Sequence, residues 1–281
     1  MIELITSGWH TSLQDNGRFG FQHLGIPEAG AMDQQSYRRA NQILGNDMHC
    51  ATLECMLQGP ILKFWAATVV CVSGTIEKMY LNDIAVPKDT ILTINSGDIL
   101  KIGQLKAGVF AYLAVAGGFP TQEIFASRSQ YLNITSNHKV KRGDKLPVNS
   151  LDLTFSQPGH YARIIPLPTS STIQVIRGPE FDQLNQAKKA ILFNHTHQLS
   201  SDLNRMGYRF EINKDIAAKE IISAPVIPGT IQLTPSGQLI ALMRDAQTTG
   251  GYARILQLTP TSINQLAQKR AGSEVIFELI D

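Results

Sequence analysis

The stretch from Gln238 to Leu258, QLIALMRDAQTTGGYARILQL, holds two short apolar runs on either side of a polar, glycine-bearing loop. Runs of six residues bounded by turn signals read as strands, being too short for a globular helix. The first run ends in Asp245, and Gln247, Thr248 and Thr249 follow before the Gly250-Gly251 pair. Elsewhere in the chain, similar β-rich segments recur at Ile2 to Thr6, Ile61 to Phe64, Thr68 to Val72, Ile91 to Ile94, Ile99 to Ile102 and Val109 to Ala116. Beyond these come Ile173 to Ile176, Gly207 to Ile212, Thr230 to Leu233 and Glu274 to Leu279. SGDILKIG (Ser96 to Gly103) and KRGDKLPV (Lys141 to Val148) repeat a Gly-Asp turn leading into a strand, a device of antiparallel barrels. The expectation is a mainly β fold of barrel or sandwich type with a few short helices.

Three helices are expected. Asp33 is placed to N-cap QQSYRRANQIL, which stops at Gly45. Gly178-Pro179 opens EFDQLNQAKKAIL, and Thr261 or Ser262 caps INQLAQKRA, closed by Gly272. A boundary is expected between Asn149 and Ser171, with PLPTSS as linker, giving domains at residues 1–155 and 156–281.

With 281 residues, 43% hydrophobic and 17% charged, the chain is globular and long enough for one large or two ordinary domains. A formal charge of +2 without a basic run gives no reason to expect nucleic-acid binding. Its apolar runs are too short to span a membrane, and MIELITSGWHTS has no signal-peptide pattern, so a soluble cytoplasmic protein is expected. Cys50, Cys55 and Cys71 lack zinc-type spacing and read as buried free thiols.

The other dense polar stretch is TSLQDNGRFGFQHLGIPEAGAMDQQSYRRANQILGN, from Thr11 to Asn46. Its run from Gln14 to Gly30 reads as a long loop rather than a core strand, because its Gly, Asn and Asp residues supply turns and hydrogen-bonding groups. Arg18 follows Asp15 closely enough for a carboxylate to hold its guanidinium, either toward an anionic substrate or as a structural lock. Asp33 serves as a cap or points into a site; Asn41, Asn46 and Glu54 are core polar groups or site groups, and Glu54 needs a partner if buried. The loop from Asp245 to Tyr252 is a cradle for a carboxylate, amide or phosphate, or else a tight hairpin. Arg205 and Arg209 add two guanidinium groups that serve a site or form surface ion pairs. His195 and His197 share a face if extended, so they are either metal ligands or part of a solvated loop or strand end; His23 is the best-placed acid/base histidine or else a turn histidine hydrogen-bonded to the backbone. Phosphate-loop, GxSxG, HExxH, GxGxxG and MKM-type biotinylation motifs are absent.

These stretches, taken with GPILKF, VAGGF, IRGP, NRMGYRFE, IPGTIQLTPSGQLIALMRDAQTTGGYARI and INQLAQ, resemble the biotin-dependent carboxyltransferase-like family along nearly the whole chain. That family includes the C subunit of ATP-dependent 5-oxoprolinase, the regulator KipA and the carboxyltransferase part of urea carboxylase. The resemblance implies two packed cyclophilin-like β-barrels. It also implies a 5-oxoprolinase C subunit that opens 5-oxoproline to L-glutamate with two partners, the KipI-like B subunit of the enzyme and its larger A subunit. ATP and Mg would act through the complex, and no biotin would be attached to this chain. Two other readings follow from the same resemblance: carboxyl transfer from biotin to urea or a related amide, and a KipA-like protein antagonising a kinase inhibitor. At motif positions stand Arg18, Asp33, Asn41, Arg128, Arg205, Gln232, Asp245, Gln247, Thr248, Thr249, Gly250, Gly251 and Tyr252. The implied roles are Arg18 on a carboxylate, Asp245 and Gln247 on a ring amide, and the turn beyond them on developing negative charge. One departure stands out: the family's GSRST segment and the glycines after it are replaced by ASRSQY and LNITSNHKVKRGDKL.

Overall fold

The computed structural model describes residues 1–149 and 170–280. The expected boundary at residues 155 and 156, and most of PLPTSS, lie outside them. The chain divides into two compact units: Met1–Arg18 with the residues from Ala29 up to the undescribed stretch, and Phe19–Glu28 with the residues after it.

The first unit begins with β1 (Ile2–Thr6), β2 (His10–Gln14), helix α1 (Gln34–Ile43), β3 (Thr52–Met56), β4 (Ile61–Phe64) and β5 (Thr68–Gly74). It continues with β6 (Met79–Leu81), β7 (Ile84–Val86), β8 (Leu92–Ile94), β9 (Ile99–Ile102), β10 (Phe110–Val115) and β11 (Lys145–Leu146). One sheet runs β11-β1-β4-β9-β6-β7 and the other β2-β3-β10-β5-β8. Alternate residues build one core: Ile2 with Leu4, Leu62 with Phe64, Val70 with Val72, and Leu113 with Val115. Each such side chain, removed from water, contributes about 1.5–3 kcal/mol. All of β10 is buried. On this sheet lies α1, where Tyr37 meets Tyr112 edge-on at a ring separation of 6.4 Å. Asp33 caps α1 as expected, its Oδ1 accepting from the Gln35 and Ser36 amides at 3.0 and 3.1 Å. Gly45, at φ 67°, follows the helix end.

The polar Thr11–Asn46 stretch is not all loop. Its first residues complete β2, paired with β3 from His10↔Met56 to Gln14↔Thr52. The strand tolerates Ser12 and Gln14 inside because Gln14 Nε2 donates to Ser12 Oγ at 3.0 Å and to the Gln130 carbonyl at 3.1 Å.

The second unit contains β12 (Thr172–Arg177), α2 (Gln186–Asn194), β13 (His197–Leu203), β14 (Gly207–Phe210), β15 (Ala224–Pro225) and β16 (Thr230–Leu233). After them come β17 (Leu239–Leu242), β18 (Thr249–Gly250), β19 (Ala253–Leu258), α3 (Pro260–Ala267) and β20 (Glu274–Leu279). Seven strands close into a barrel in the order β12-β19-β16-β17-β14-β13-β20. Its seam pairs β12 with β20 in parallel, Thr172 opposite Ile276. The helix expected from Gly178-Pro179 is split: a 3-10 turn covers Phe181–Gln183, then Asn185 caps α2 through Lys188 N. For α3 the cap is Thr259, with Pro260 in the first turn, two residues ahead of the expected start. Gly178 lies against the β19 backbone: a Cβ there would stand 2.2 Å from the Arg254 carbonyl oxygen, which accounts for glycine in IRGP. Among the described residues, no helix is long and apolar enough to cross a membrane.

Candidate functional site

In the first unit Asp15 organises a loop far away in sequence. Its Oδ1 accepts from Gly17 N (2.9 Å), Ser127 Oγ (2.7 Å) and Ser129 Oγ (2.6 Å), and its Oδ2 from Arg128 N (2.6 Å). Arg18, fully buried, donates from Nε to the Ile124 carbonyl at 3.2 Å and from Nη2 to the Ser129 carbonyl. Both charged residues of the QDNGR turn thus act on the segment 124–129, and Asp15 gives Ser127-Arg128-Ser129 a fixed geometry. At the turn that starts this segment, Ile124 and Ser127 bridge across Phe125 and Ala126, whose φ values are 53° and 55°. Ala126 stands where the family pattern has glycine, and a left-handed non-glycine residue costs about 1–2 kcal/mol. Ala126→Gly is therefore expected to stabilise the unit by about 1 kcal/mol, read as a higher denaturant midpoint with unchanged slope.

The altered segment after ASRSQY is folded without the missing glycines. Asn133 takes a φ of 67°, and Thr135 closes the turn by accepting at Oγ1 from Tyr131 N at 2.9 Å. This segment and the one before it wall a cleft of about 340 Å³, whose lining includes Thr121, Arg128, Gln130, Asn137, Asp144 and Lys145 over apolar Leu13, Ile124, Val140 and Leu146. Arg128 is braced there, Nε donating to the Thr121 carbonyl at 2.9 Å and Nη1 paired with Glu123.

Four other sequence candidates of this unit have structural partners. Asp33 Oδ2 accepts from Ser36 Oγ at 2.6 Å in addition to its cap bonds. Asn41 Nδ2 donates to the Cys50 carbonyl at 3.0 Å, and Asn46 Nδ2 to Asn41 Oδ1 at 2.9 Å. Asn46 also takes Gly117 N at 2.8 Å, tying α1 to VAGGF. Buried Glu54 finds the partner it requires: its Oε2 accepts from Met32 N and from Tyr112 Oη, both at 2.8 Å. Burial, reinforced by Glu54 and Asp33, pushes the Tyr112 hydroxyl well above its ordinary value, keeping it a donor. Cys55 and Cys71 are buried thiols pushed up to about 12, chiefly by desolvation, whereas Cys50 is half-buried.

The second unit gathers the remaining candidates. Arg205 forks onto Asp245, with Nε to Oδ2 and Nη2 to Oδ1 both 2.8 Å. Asn204 Oδ1 accepts from Met206 N at 2.8 Å and Gly207 N at 3.1 Å, and the Asp245 amide donates to the Arg205 carbonyl at 2.9 Å, so NRMG and MRD interlock. Arg209 is separate, in an exposed pair with Asp202. The loop beyond Asp245 is a ribbon: β18 pairs with β15, Val226 N donates to the Thr248 carbonyl at 3.1 Å, and Ile221 N to the Gly251 carbonyl at 2.9 Å. Gln247 and Thr248 are half-buried, and Thr249 and Tyr252 exposed. Beneath Gly250 lies Gln232, 1% exposed, whose Nε2 is buried without a hydrogen-bond partner. A Cβ on Gly250 would stand 2.4 Å from that nitrogen, so glycine lets the ribbon lie on the carboxamide.

A clamp that the sequence reading missed fixes the other end of the ribbon. Glu180 accepts from Arg254 Nε at 2.9 Å, Nη2 at 2.7 Å and its main-chain amide at 2.8 Å. These bonds hold the Glu180 carboxyl below the usual range, so it is ionised at neutral pH. The available signal was IRGP itself, since a glycine forced by contact with Arg254 places Glu180 beside that arginine. His197 is a core residue on β13, its Nε2 2.9 Å from the Leu192 carbonyl and its ring against Phe210 and Phe277. Burial lowers its pKa, favouring neutral imidazole. His195 is the C-cap of α2, and His23 lies in the short 3-10 turn Gln22–Leu24. Among the described residues no group of three His, Cys, Asp or Glu gathers to hold a metal ion.

The chain matches the sequence family described as "Carboxyltransferase domain, subdomain A and B" over residues 24–279. It is 32% identical to the 5-oxoprolinase C subunit of Haemophilus influenzae, covering 100% of this chain and 91% of that one. To the 5-oxoprolinase C subunit of Escherichia coli it is 32% identical, over 99% and 90%. Among solved structures, the protein TTHA0988 superposes with a TM-score of 0.89 at 27% identity, covering 99% of this chain and 55% of its own. Kluyveromyces lactis urea carboxylase gives 0.89 at 26% identity, covering 100% and 27%. This chain thus spans about half of TTHA0988 and about a quarter of the urea carboxylase. A match running through both units and both long motifs, at this identity and coverage, shows that the chain belongs to the carboxyltransferase subdomain A and B family.

Proposed function

We propose that this protein is the C subunit of an ATP-dependent 5-oxoprolinase, opening the lactam of 5-oxoproline to L-glutamate together with the A and B subunits. The observation that carries the reading is the match to two proteins named as the 5-oxoprolinase C subunit over nine-tenths or more of their length. The geometry supports it. A carboxylate held by a guanidinium fork is oriented and acceptor-only, suited to taking the hydrogen bond of a ring N–H. Asp245 has that form. Gln247, two residues on and half-buried, offers a carboxamide for the lactam carbonyl, and the ribbon of Thr248 to Tyr252 lies beside it. Holding the amide in one orientation before attack is how such groups lower a barrier without forming covalent bonds themselves. The nucleotide and magnesium chemistry is assigned to the complex, and no residue of this chain is given a role in it.

The test is ATP hydrolysis by this chain mixed with the A and B subunits. Turnover that rises with 5-oxoproline only when all three chains are present supports the reading; a stable complex without stimulation overturns it. The superposition with urea carboxylase favours a second reading, carboxyl transfer to urea or a related amide. That reading expects activity with a separate biotinylated chain and none with the oxoprolinase partners.

A further inference from the structure

We propose that the cleft of the first unit binds the carboxylate of a small organic acid through Arg128. The inference rests on the oxoprolinase reading for the class of ligand and concerns the first unit alone. The guanidinium is oriented but not fully used. Nε is held by the Thr121 carbonyl at 2.9 Å and Nη1 by Glu123, while Nη2 makes no hydrogen bond to a described residue. The side chain keeps 29% of its surface exposed. Beside it, Thr121 Oγ1 is buried with no hydrogen-bond partner, a donor that costs free energy until an acceptor arrives. The charges lining the cleft are Arg128, Lys145 and Asp144, and Asp144 Oδ2 already accepts from Lys141 N at 2.8 Å. Glu123, 51% exposed, balances part of the Arg128 charge, so a ligand carboxylate on Nη2 makes the guanidinium a bridge between two carboxylates.

The rest of the cleft suits a small ring acid. Its volume of about 340 Å³ falls at the small end of ligand pockets, and Leu13, Ile124, Val140 and Leu146 supply an apolar side for ring carbons. Arg128 comes pre-oriented, because Asp15 holds its main-chain amide and both neighbouring serines. Arg18, with no exposed surface, donates to the carbonyls on either side of this segment and is a positioning residue for Arg128.

The experiment is calorimetric titration of the full chain with 5-oxoproline, with 2-pyrrolidinone (the lactam without the carboxylate) and with cyclopentanecarboxylate (the carboxylate without the lactam). The expected result is saturable binding of both acids, with 2-pyrrolidinone weaker than 5-oxoproline by about tenfold or more. Arg128→Gln loses acid binding by a similar factor. Asn137→Trp, which narrows the cleft at an exposed rim position and leaves the Arg128 braces in place, also loses it. The inference is overturned if both variants bind the acids within about twofold of wild type, or if neither the chain nor its complex binds a carboxylate. If the three-chain complex turns over 5-oxoproline while both variants bind the acids as wild type does, the cleft inference fails and the oxoprolinase reading stands. Arg128-dependent binding of the acids in a complex that does not turn over 5-oxoproline gives the reverse.

Discussion

Asp15→Ala is expected to lower the stability of the first unit by about 3–5 kcal/mol, because four donors lose one buried acceptor group together. The donors are Gly17 N, Arg128 N, Ser127 Oγ and Ser129 Oγ, and Asp15 itself is 5% exposed. In a unit of this size that corresponds to a fall in Tm on the order of 10 °C. Asp15→Asn keeps the oxygen that takes three of these bonds and turns an amide donor toward Arg128 N, so its expected loss is smaller. Thermal unfolding of the three proteins, with calorimetric and spectroscopic transitions compared, checks the order wild type, Asn, Ala. A Tm for Asp15→Ala within about 2 °C of wild type means that the loop does not depend on this carboxylate. The variant should also lose acid binding in the first-unit cleft, because Arg128 is no longer held.

The second large effect is expected at Asp245. Asp245→Ala should reduce 5-oxoproline-dependent ATP turnover by about a hundredfold or more while the second unit stays folded. The two effects separate because the barrel closes through seven strands, none of which includes Asp245, while the site depends on the Arg205–Asp245 fork. Arg205 left without its partner, its side chain 16% exposed, costs some stability and shifts the unfolding midpoint without abolishing the transition. Circular dichroism and turnover measured on one preparation decide the matter. Turnover within a few-fold of wild type would remove Asp245 from the mechanism.

What was legible in the sequence was local. The Asp33 cap, the bounds of β1, β4, β9, β16, β19 and β20, and the glycine after α1 each follow from residues a few positions apart. Strand β2 was hidden because alternation identifies strands with one wet face, and this one is buried on both, with Ser12 satisfied by Gln14 and Gln14 in turn by Gln130, more than a hundred positions away. The same distance concealed the true role of Asp15: Arg18 was the visible partner, whereas Ser127 lies 112 residues on. At the second unit's site the motif gave the residue types in order, but pairing Arg205 with Asp245 needed the register of β14 on β17. The Gln232 carboxamide under Gly250 likewise required the ribbon to be seen lying on it.

The parallel seam of the second unit has a consequence for synthesis. β20 sits between β12 and β13 in the barrel, yet it is the last of the seven to leave the ribosome. Until it emerges, β12 and β13 each present an unpaired edge, the feature through which nascent chains associate wrongly. One late strand closes both edges at once, so the barrel is completed in a single final insertion that joins the earliest and latest parts of its sequence. A ribosome stalled ahead of β20 should therefore display an open sheet that chaperones recognise, and release of the final strand should end that recognition.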